Sequence, residues 1–183
     1  MIMISLRSKV AVKILNYFFI NPEACHYINE LARILGLDPK NTNTKLKELE
    51  KAGFLKSEFS GKQRYFCLSK EFPLFEEYKN IVLKTAGVES ELRKILLKVP
   101  KIKEAYLFGS YAKGRMDEMS DIDLLVVGDH SVLTLQKEIN KIQKEAGREI
   151  NAISFSEKEF EQKKETNNSF LKKVFSEKYI KLI

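Results

Sequence analysis

Apolar positions in the first fifty residues recur at helical intervals. Between residues 8 and 20, Val10, Ile14, Leu15, Phe18 and Phe19 form one stripe, ended by Asn21-Pro22. Ile28, Leu31, Ala32 and Leu35 repeat at i, i+3, i+4 and i+7, and Gly36 follows as a C-terminal stop. Asp38-Pro39 starts a third helix, with Asp as N-cap and Pro at the first helical position, reaching about Ala52 and ending at Gly53. Only Leu37 and Asp38 separate the second helix from the third, the tight connection that a helix-turn-helix requires. The pattern then turns strand-like over Phe54 to Phe59 and Gln63 to Leu68, predicting a β-hairpin through Ser60-Gly61-Lys62 with Lys62 and Arg64 at its tip.

Further along, Leu74, Phe75, Tyr78, Ile81 and Val82 make one amphipathic stretch, and Leu92, Ile95, Leu96 and Val99 another. Gly87 separates the two and Pro100 ends the second. These faces have three uses open to them: closing the first domain, joining the two domains, or pairing two chains as a homodimer. From Tyr106 onward the order is strand, turn, short helix and strand, the last being Leu124 to Val127. A helix over Val132 to Ala146, a strand over Glu149 to Phe155 and a helix opened by the capping box Ser156-Glu157-Lys158-Glu159 come next. Phe155 and Phe160 flank that box as a hydrophobic staple. Phe170, Leu171, Val174 and Phe175 give one more helical face, and Tyr179 to Ile183 a last short strand.

Candidate chemistry concentrates at Phe108-Gly109-Ser110 and Asp121-Ile122-Asp123-Leu124, with residues 111 to 120 between them. Residues i and i+2 of a strand face the same side, so Asp121 and Asp123 present their oxygens together. Two carboxylates on one face repel unless a cation lies between them, and hard oxygen ligands suit Mg²⁺, which keeps waters and takes further ligands from substrate phosphates. Gly109 permits a tight turn, and Ser110 opens a helix whose N–H groups favour an anion. Lys113 and Arg115 lie where they can add phosphate contacts.

These residues resemble the signature of the nucleotidyltransferase superfamily that includes DNA polymerase beta and the minimal nucleotidyltransferases: an apolar residue, Gly-Ser, a short spacer, then Asp-apolar-Asp-apolar. The resemblance implies that Asp121 and Asp123 hold Mg²⁺ with an NTP, and that Gly109 and Ser110 form the phosphate-binding turn. It also implies a third acid on a neighbouring strand that completes the metal site and helps deprotonate the attacking hydroxyl. At that place this chain reads Glu149-Ile150-Asn151. Asparagine ligates a cation weakly and accepts no proton, whereas Glu149 lies two residues earlier on the same face. Glu149 is therefore the candidate third catalytic acid.

On the wheel of the third helix, Thr42, Leu46 and Leu49 point inward, and Lys40, Asn41, Thr44, Lys47 and Lys51 outward. Lysines bind phosphates, and Asn and Thr reach base edges in a major groove. With Lys62 and Arg64 on the hairpin, residues 8 to 70 resemble the winged helix-turn-helix domain of transcriptional regulators, which implies double-stranded DNA as a partner.

Charge sharpens the division. Of the formal +7 carried by 183 residues, +6 belongs to residues 1–70, none to 71–100 and +1 to 101–183. A basic first domain meets a polyanion more readily than the second does. No run of eighteen apolar residues exists, so no membrane span or secretory signal is expected and the cytoplasm is the expected compartment. Cys25 and Cys67 lie far apart and outside any Cys-x-x-Cys motif, and are expected as two reduced, mostly buried thiols.

The expected architecture is an α/β (α+β) two-domain chain. It has a winged helix-turn-helix at residues 1–70, a helical connector at 71–100 and a nucleotidyltransferase mixed sheet flanked by helices at 101–183. The expected activity is Mg²⁺-dependent transfer of a nucleoside monophosphate from NTP to a hydroxyl of a protein or small-molecule acceptor. The alternatives are a transcription regulator that senses NTP without turnover and an antitoxin-like partner of a toxin protein.

Overall fold

The computed structural model describes residues 8–117 and 119–183. They divide into two units, one holding the residues up to Ser90 together with Glu145–Gly147, the other Glu91–Lys144 and Arg148–Ile183.

In the first unit, α1 (Lys9–Ile20), α2 (Ile28–Leu35) and α3 (Pro39–Lys51) fall where the apolar periods predict them. Asp38 caps α3 by accepting the Asn41 N–H at 2.8 Å, and Pro39 occupies the first turn, where its missing donor costs nothing. The inward side chains Ile14, Phe18, Leu31, Leu35, Leu46 and Leu49 are buried, joined by Phe54, just before β2, and Phe66 from the hairpin. Thr42 is buried as well, and its hydroxyl donates to the Asp38 carbonyl at 2.9 Å. The hairpin consists of β2 (Leu55–Ser60) and β3 (Gln63–Leu68). Ser60 pairs with Gln63, so Gly61 and Lys62 alone make the turn. The two amphipathic stretches on either side of Gly87 are α4 (Phe75–Thr85) and α5 (Val88–Lys98), the latter belonging to the second unit from Glu91 onward.

One strand here is not foreseen by the pattern. β1 (Cys25–Tyr27) pairs antiparallel with β3, giving a sheet of order β1-β3-β2. That register sets Cys25 opposite Cys67 with Cα atoms 4.4 Å apart, and the two form a disulfide, which corrects the expectation of reduced thiols. Cys67 is buried but Cys25 is exposed. Three residues are too few to show alternation, so the strand that brings the cysteines together leaves no trace in the periodicity.

The second unit is a four-stranded sheet of order β6-β5-β4-β7. β4 (Ile102–Phe108) runs antiparallel to β5 (Ile122–Gly128), β6 (Ile150–Phe155) is parallel to β5, and β7 (Ile180–Lys181) closes the outer edge of β4 antiparallel. The short α6 (Gly109–Lys113) links β4 towards β5, and α7 (Val132–Ala146) makes the crossover that a parallel pair demands. Leu124, Leu125, Val126 and Val127 are buried, as a central strand covered on both faces must be. On one face Tyr106, Leu125 and Val127 pack with Phe160 of α8 (Glu157–Glu165) and with Leu171 and Val174 of α9 (Ser169–Ser176). The expected capping box is formed at Ser156 and Glu159. Arg93 of α5 donates to the carbonyls of Leu182 and Lys181, the latter at 2.9 Å, which holds the β7 segment in place. No helix among the described residues is long and apolar enough to cross a membrane.

Candidate functional site

The site grows from one end of the β4–β5 pair. Phe108, the last residue of β4, is the cross-strand partner of Asp123, and the chain turns immediately afterwards at Gly109 with φ at +68°. A Cβ at Gly109 would collide with a carboxylate oxygen of Asp123. Glycine is therefore demanded twice, by the left-handed backbone and by the approach of the acid. Ser110 follows with its Oγ 3.5 Å from Met116 Sδ. Asp121 lies just before β5, two residues from Asp123 and on the same side of the strand, and it is exposed where Asp123 is half-buried.

Electrostatics at Asp123 show the tension of a like-charged pair. Burial pushes its carboxyl above the ordinary aspartate value and the neighbouring Asp121 pushes it the same way. A hydrogen bond from Asn151 and the charge of Lys173 pull it back. Register explains the first partner, since Asn151 of β6 is aligned with Asp123 in the parallel pair. Glu149 precedes β6 by one residue and is exposed, and its carbonyl accepts the Ile122 N–H at 2.9 Å. The group that reaches Asp123 from β6 is thus the amide of Asn151.

The donor set fits Mg²⁺. Two hard carboxylates share one face, one of them is destabilised by the other, and no apolar side chain can grow from Gly109 into the space. Among the described residues no cluster of three or more His, Cys, Asp or Glu is arranged as a metal cage. A two-carboxylate site that relies on waters and phosphates for its other ligands agrees with that. Asp121 and Asp123 are the residues that would hold the ion.

The predicted phosphate contacts are placed differently from each other. Lys113 ends α6 with its Nζ 2.7 Å from Glu177 Oε2, and this bond from the lysine holds Glu177 below the usual carboxylate range. Arg115 is exposed beyond Gly114, its N–H donated to the Ser110 carbonyl at 2.9 Å. Two residues here go beyond what the sequence announces: Lys173, whose charge acts on Asp123, and Glu177, the partner of Lys113. They lie some fifty residues downstream of Asp123, on and just after α9, where the only signal is the apolar stripe of that helix.

In the first unit, Lys40, Asn41, Thr44, Lys47 and Lys51 all stand exposed along α3, and Lys62 is exposed in the turn. Glu48, the acid nearest to that face, is engaged by Lys45 at 2.7 Å. Arg64 is not a free tip residue. Its guanidinium grips both oxygens of Glu50 at 2.9 and 2.7 Å, donates to Ser57 Oγ at 2.9 Å, and lies over the Phe66 ring.

Residues 89–182 match the nucleotidyltransferase domain family. A stretch of 77 residues is 43% identical to the Methanocaldococcus jannaschii protein named "Putative protein adenylyltransferase MJ0604", spanning 42% of this chain and 75% of that protein. A second protein of the same organism, "Putative protein adenylyltransferase MJ1379", is 34% identical over 92 residues, 48% of this chain and 84% of its own length. Among solved structures, a crystal structure of a toxin-antitoxin with AMP-PNP aligns over 52% of this chain and 72% of that one, at 20% identity and a TM-score of 0.39. With more than half of its length matched, and with relatives of this identity, the chain belongs to the nucleotidyltransferase domain family.

Proposed function

We propose that the second unit binds Mg²⁺–ATP at Asp121 and Asp123 and transfers the adenylyl group to a hydroxyl on a protein. The observation that carries this reading is the contact of Asp123 with Gly109, which sets a metal-competent carboxylate pair against the turn that follows β4. The relatives named as protein adenylyltransferases support adenine as the base and a protein as the acceptor. In the transfer, the acceptor oxygen bonds to the α-phosphorus, the α–β anhydride bond breaks, pyrophosphate leaves and the hydroxyl proton passes to a base, for which Glu149 is the candidate. A magnesium ion held by Asp121 and Asp123 would supply charge neutralisation for the phosphates. The chain's own residues set the geometry. Gly109 admits the phosphates close to the backbone, and Asn151 holds the Asp123 carboxylate in place and favours its anionic form.

Asn151 cannot act as a general base, a contribution usually worth about 10² to 10⁴ in rate. Glu149, one residue before β6, is the acid next to that strand and our candidate for the role. Incubation with α-labelled ATP, Mg²⁺ and extract from the source cell tests the reading: label should appear on a protein band and vanish with Asp121→Ala and Asp123→Ala. Mg²⁺–ATP binding without label would instead support a nucleotide sensor, and absence of both would overturn the proposal.

A second reading concerns the first unit. Five polar or basic side chains exposed along α3, in a fold of three helices with an antiparallel hairpin, support a winged helix-turn-helix that binds double-stranded DNA and regulates transcription. Affinity for duplex DNA should then fall steeply with salt. Binding that is absent or indifferent to salt would remove this reading.

A further inference from the structure

The site described above has a floor in the β4–β5 end and one wall in the turn at Gly109. A second wall comes from α9. The first turn of that helix sits on the strand pair bearing Asp123: the Phe170 ring is edge-on to Phe108, centroids 5.7 Å apart, and Phe108 is Asp123's cross-strand partner. Just past its other end, Glu177 grips Lys113 of α6 at 2.7 Å. Lys173 follows Phe170 by three positions on the helix and so lies on the same side of α9, one turn nearer to Glu177. Leu171 and Val174 are buried on the adjoining face, which fixes the rotation of the helix. Lys173 is itself exposed, and among the described residues its ammonium makes no ion pair. Its charge acts on both the Asp123 and the Glu177 carboxylates, as its position between them requires.

A nucleoside triphosphate brings more negative charge than one divalent ion neutralises, so a further cation is needed beside the carboxylate pair. Lys113, the candidate closest to the turn, is already taken by Glu177. Resting on the nucleotidyl-transfer reading, we infer that Lys173 is a nucleotide-contacting residue whose ammonium receives the terminal phosphates of the bound NTP. α9 thereby becomes part of the substrate site, and Glu177 restrains Lys113 from competing for the same phosphates.

Titration of the full chain with Mg²⁺–ATP and with AMP, read by displacement of a fluorescent ATP analogue, tests this. Lys173→Gln should weaken Mg²⁺–ATP by about tenfold or more, the scale of one charge-assisted contact, while changing AMP by less than about twofold. Lys173→Arg should keep most of the affinity. Lys172→Gln, one residue away and turned by about 100°, should match the wild type. Thermal melts of each variant show whether the fold is kept, and Lys173→Met serves as a second neutral replacement. If wild type binds Mg²⁺–ATP, Asp121→Ala abolishes that binding and Lys173→Gln binds normally, the inference about Lys173 fails alone. If wild type binds no magnesium nucleotide, the nucleotidyl-transfer reading and this inference fall together. Equal weakening of ATP and AMP in Lys173→Gln would mark a structural role and also overturn it.

Discussion

Asn151 stands beside Asp123 in the parallel register of β5 and β6 and donates a hydrogen bond to its carboxylate. The amide steadies an acid that burial and Asp121 both disfavour, but it has no capacity to take a proton from an attacking hydroxyl. Replacing it by the isosteric acid separates these roles. Asn151→Asp should raise the rate of adenylyl transfer at saturating Mg²⁺–ATP by about 10²-fold, the lower end of a general-base contribution. A rate unchanged or reduced in single-turnover assays would show that the base lies elsewhere, with Glu149→Gln the variant to examine next.

The raised proton affinity of Asp123 has a sign that stability measurements can read. Because the folded chain holds this proton more tightly than the unfolded chain, the corresponding stabilisation is full below the ordinary aspartate value. It is lost as pH rises through the raised folded value. Without metal at neutral pH, Asp123→Asn should therefore melt above wild type, and the gap should close on acidification below the aspartate range. Millimolar Mg²⁺ should stabilise wild type more than the variant. A gap independent of pH would contradict the electrostatic origin.

Gly109→Ala must fit a Cβ where an Asp123 oxygen already lies, on a backbone with φ at +68°. The strain is about 1–3 kcal/mol, read as a lower urea midpoint. Because relief comes by moving Asp123, Mg²⁺–ATP binding should fail even in variant chains that remain folded. Normal binding would mean that the turn is wider than the structure has it.

On the first unit, Arg64 and Lys47 should behave oppositely. Arg64 is spent on Glu50, so Arg64→Ala or Glu50→Ala should lower stability by about 1–2 kcal/mol, with the Arg64 change leaving the salt slope of DNA binding intact. Lys47→Ala should leave the urea midpoint unchanged and reduce that slope by about 1. A salt slope that drops with Arg64→Ala would return this residue to the DNA contacts.

The disulfide between Cys25 and Cys67 closes a separation of 42 residues. Reducing it, or replacing both cysteines by serine, should destabilise the first unit by about 2–4 kcal/mol. Urea titration with and without a phosphine reductant measures the effect, and identical curves would show that the bond is not formed in solution.

Much of this architecture can be read from local rules because local rules set it. Asp38-Pro39, the Ser156–Glu159 box and the i, i+3, i+4 stripes act within a turn or two, and each produces its helix where expected. Asp121 and Asp123 are equally legible, since period two alone puts them on one side. What escaped depends on register between distant segments. β1 is three residues long, and its pairing with β3 is what joins the cysteines. Arg64 reads from the sequence as a tip residue because nothing nearby announces Glu50, fourteen positions back and on another element. Likewise the choice between Glu149 and Asn151 turned on a shift of two in the β5–β6 ladder, and Lys173 reaches the aspartates only through the packing of α9.

The two-residue ladder of β7 shields the open flank of β4. Loosening it, for instance by removing the Arg93 clamp on the Lys181 and Leu182 carbonyls, would bare a row of amides ready to recruit a strand from another molecule. One guanidinium, a few main-chain bonds and the buried Leu182 side chain thus keep that flank of β4 paired.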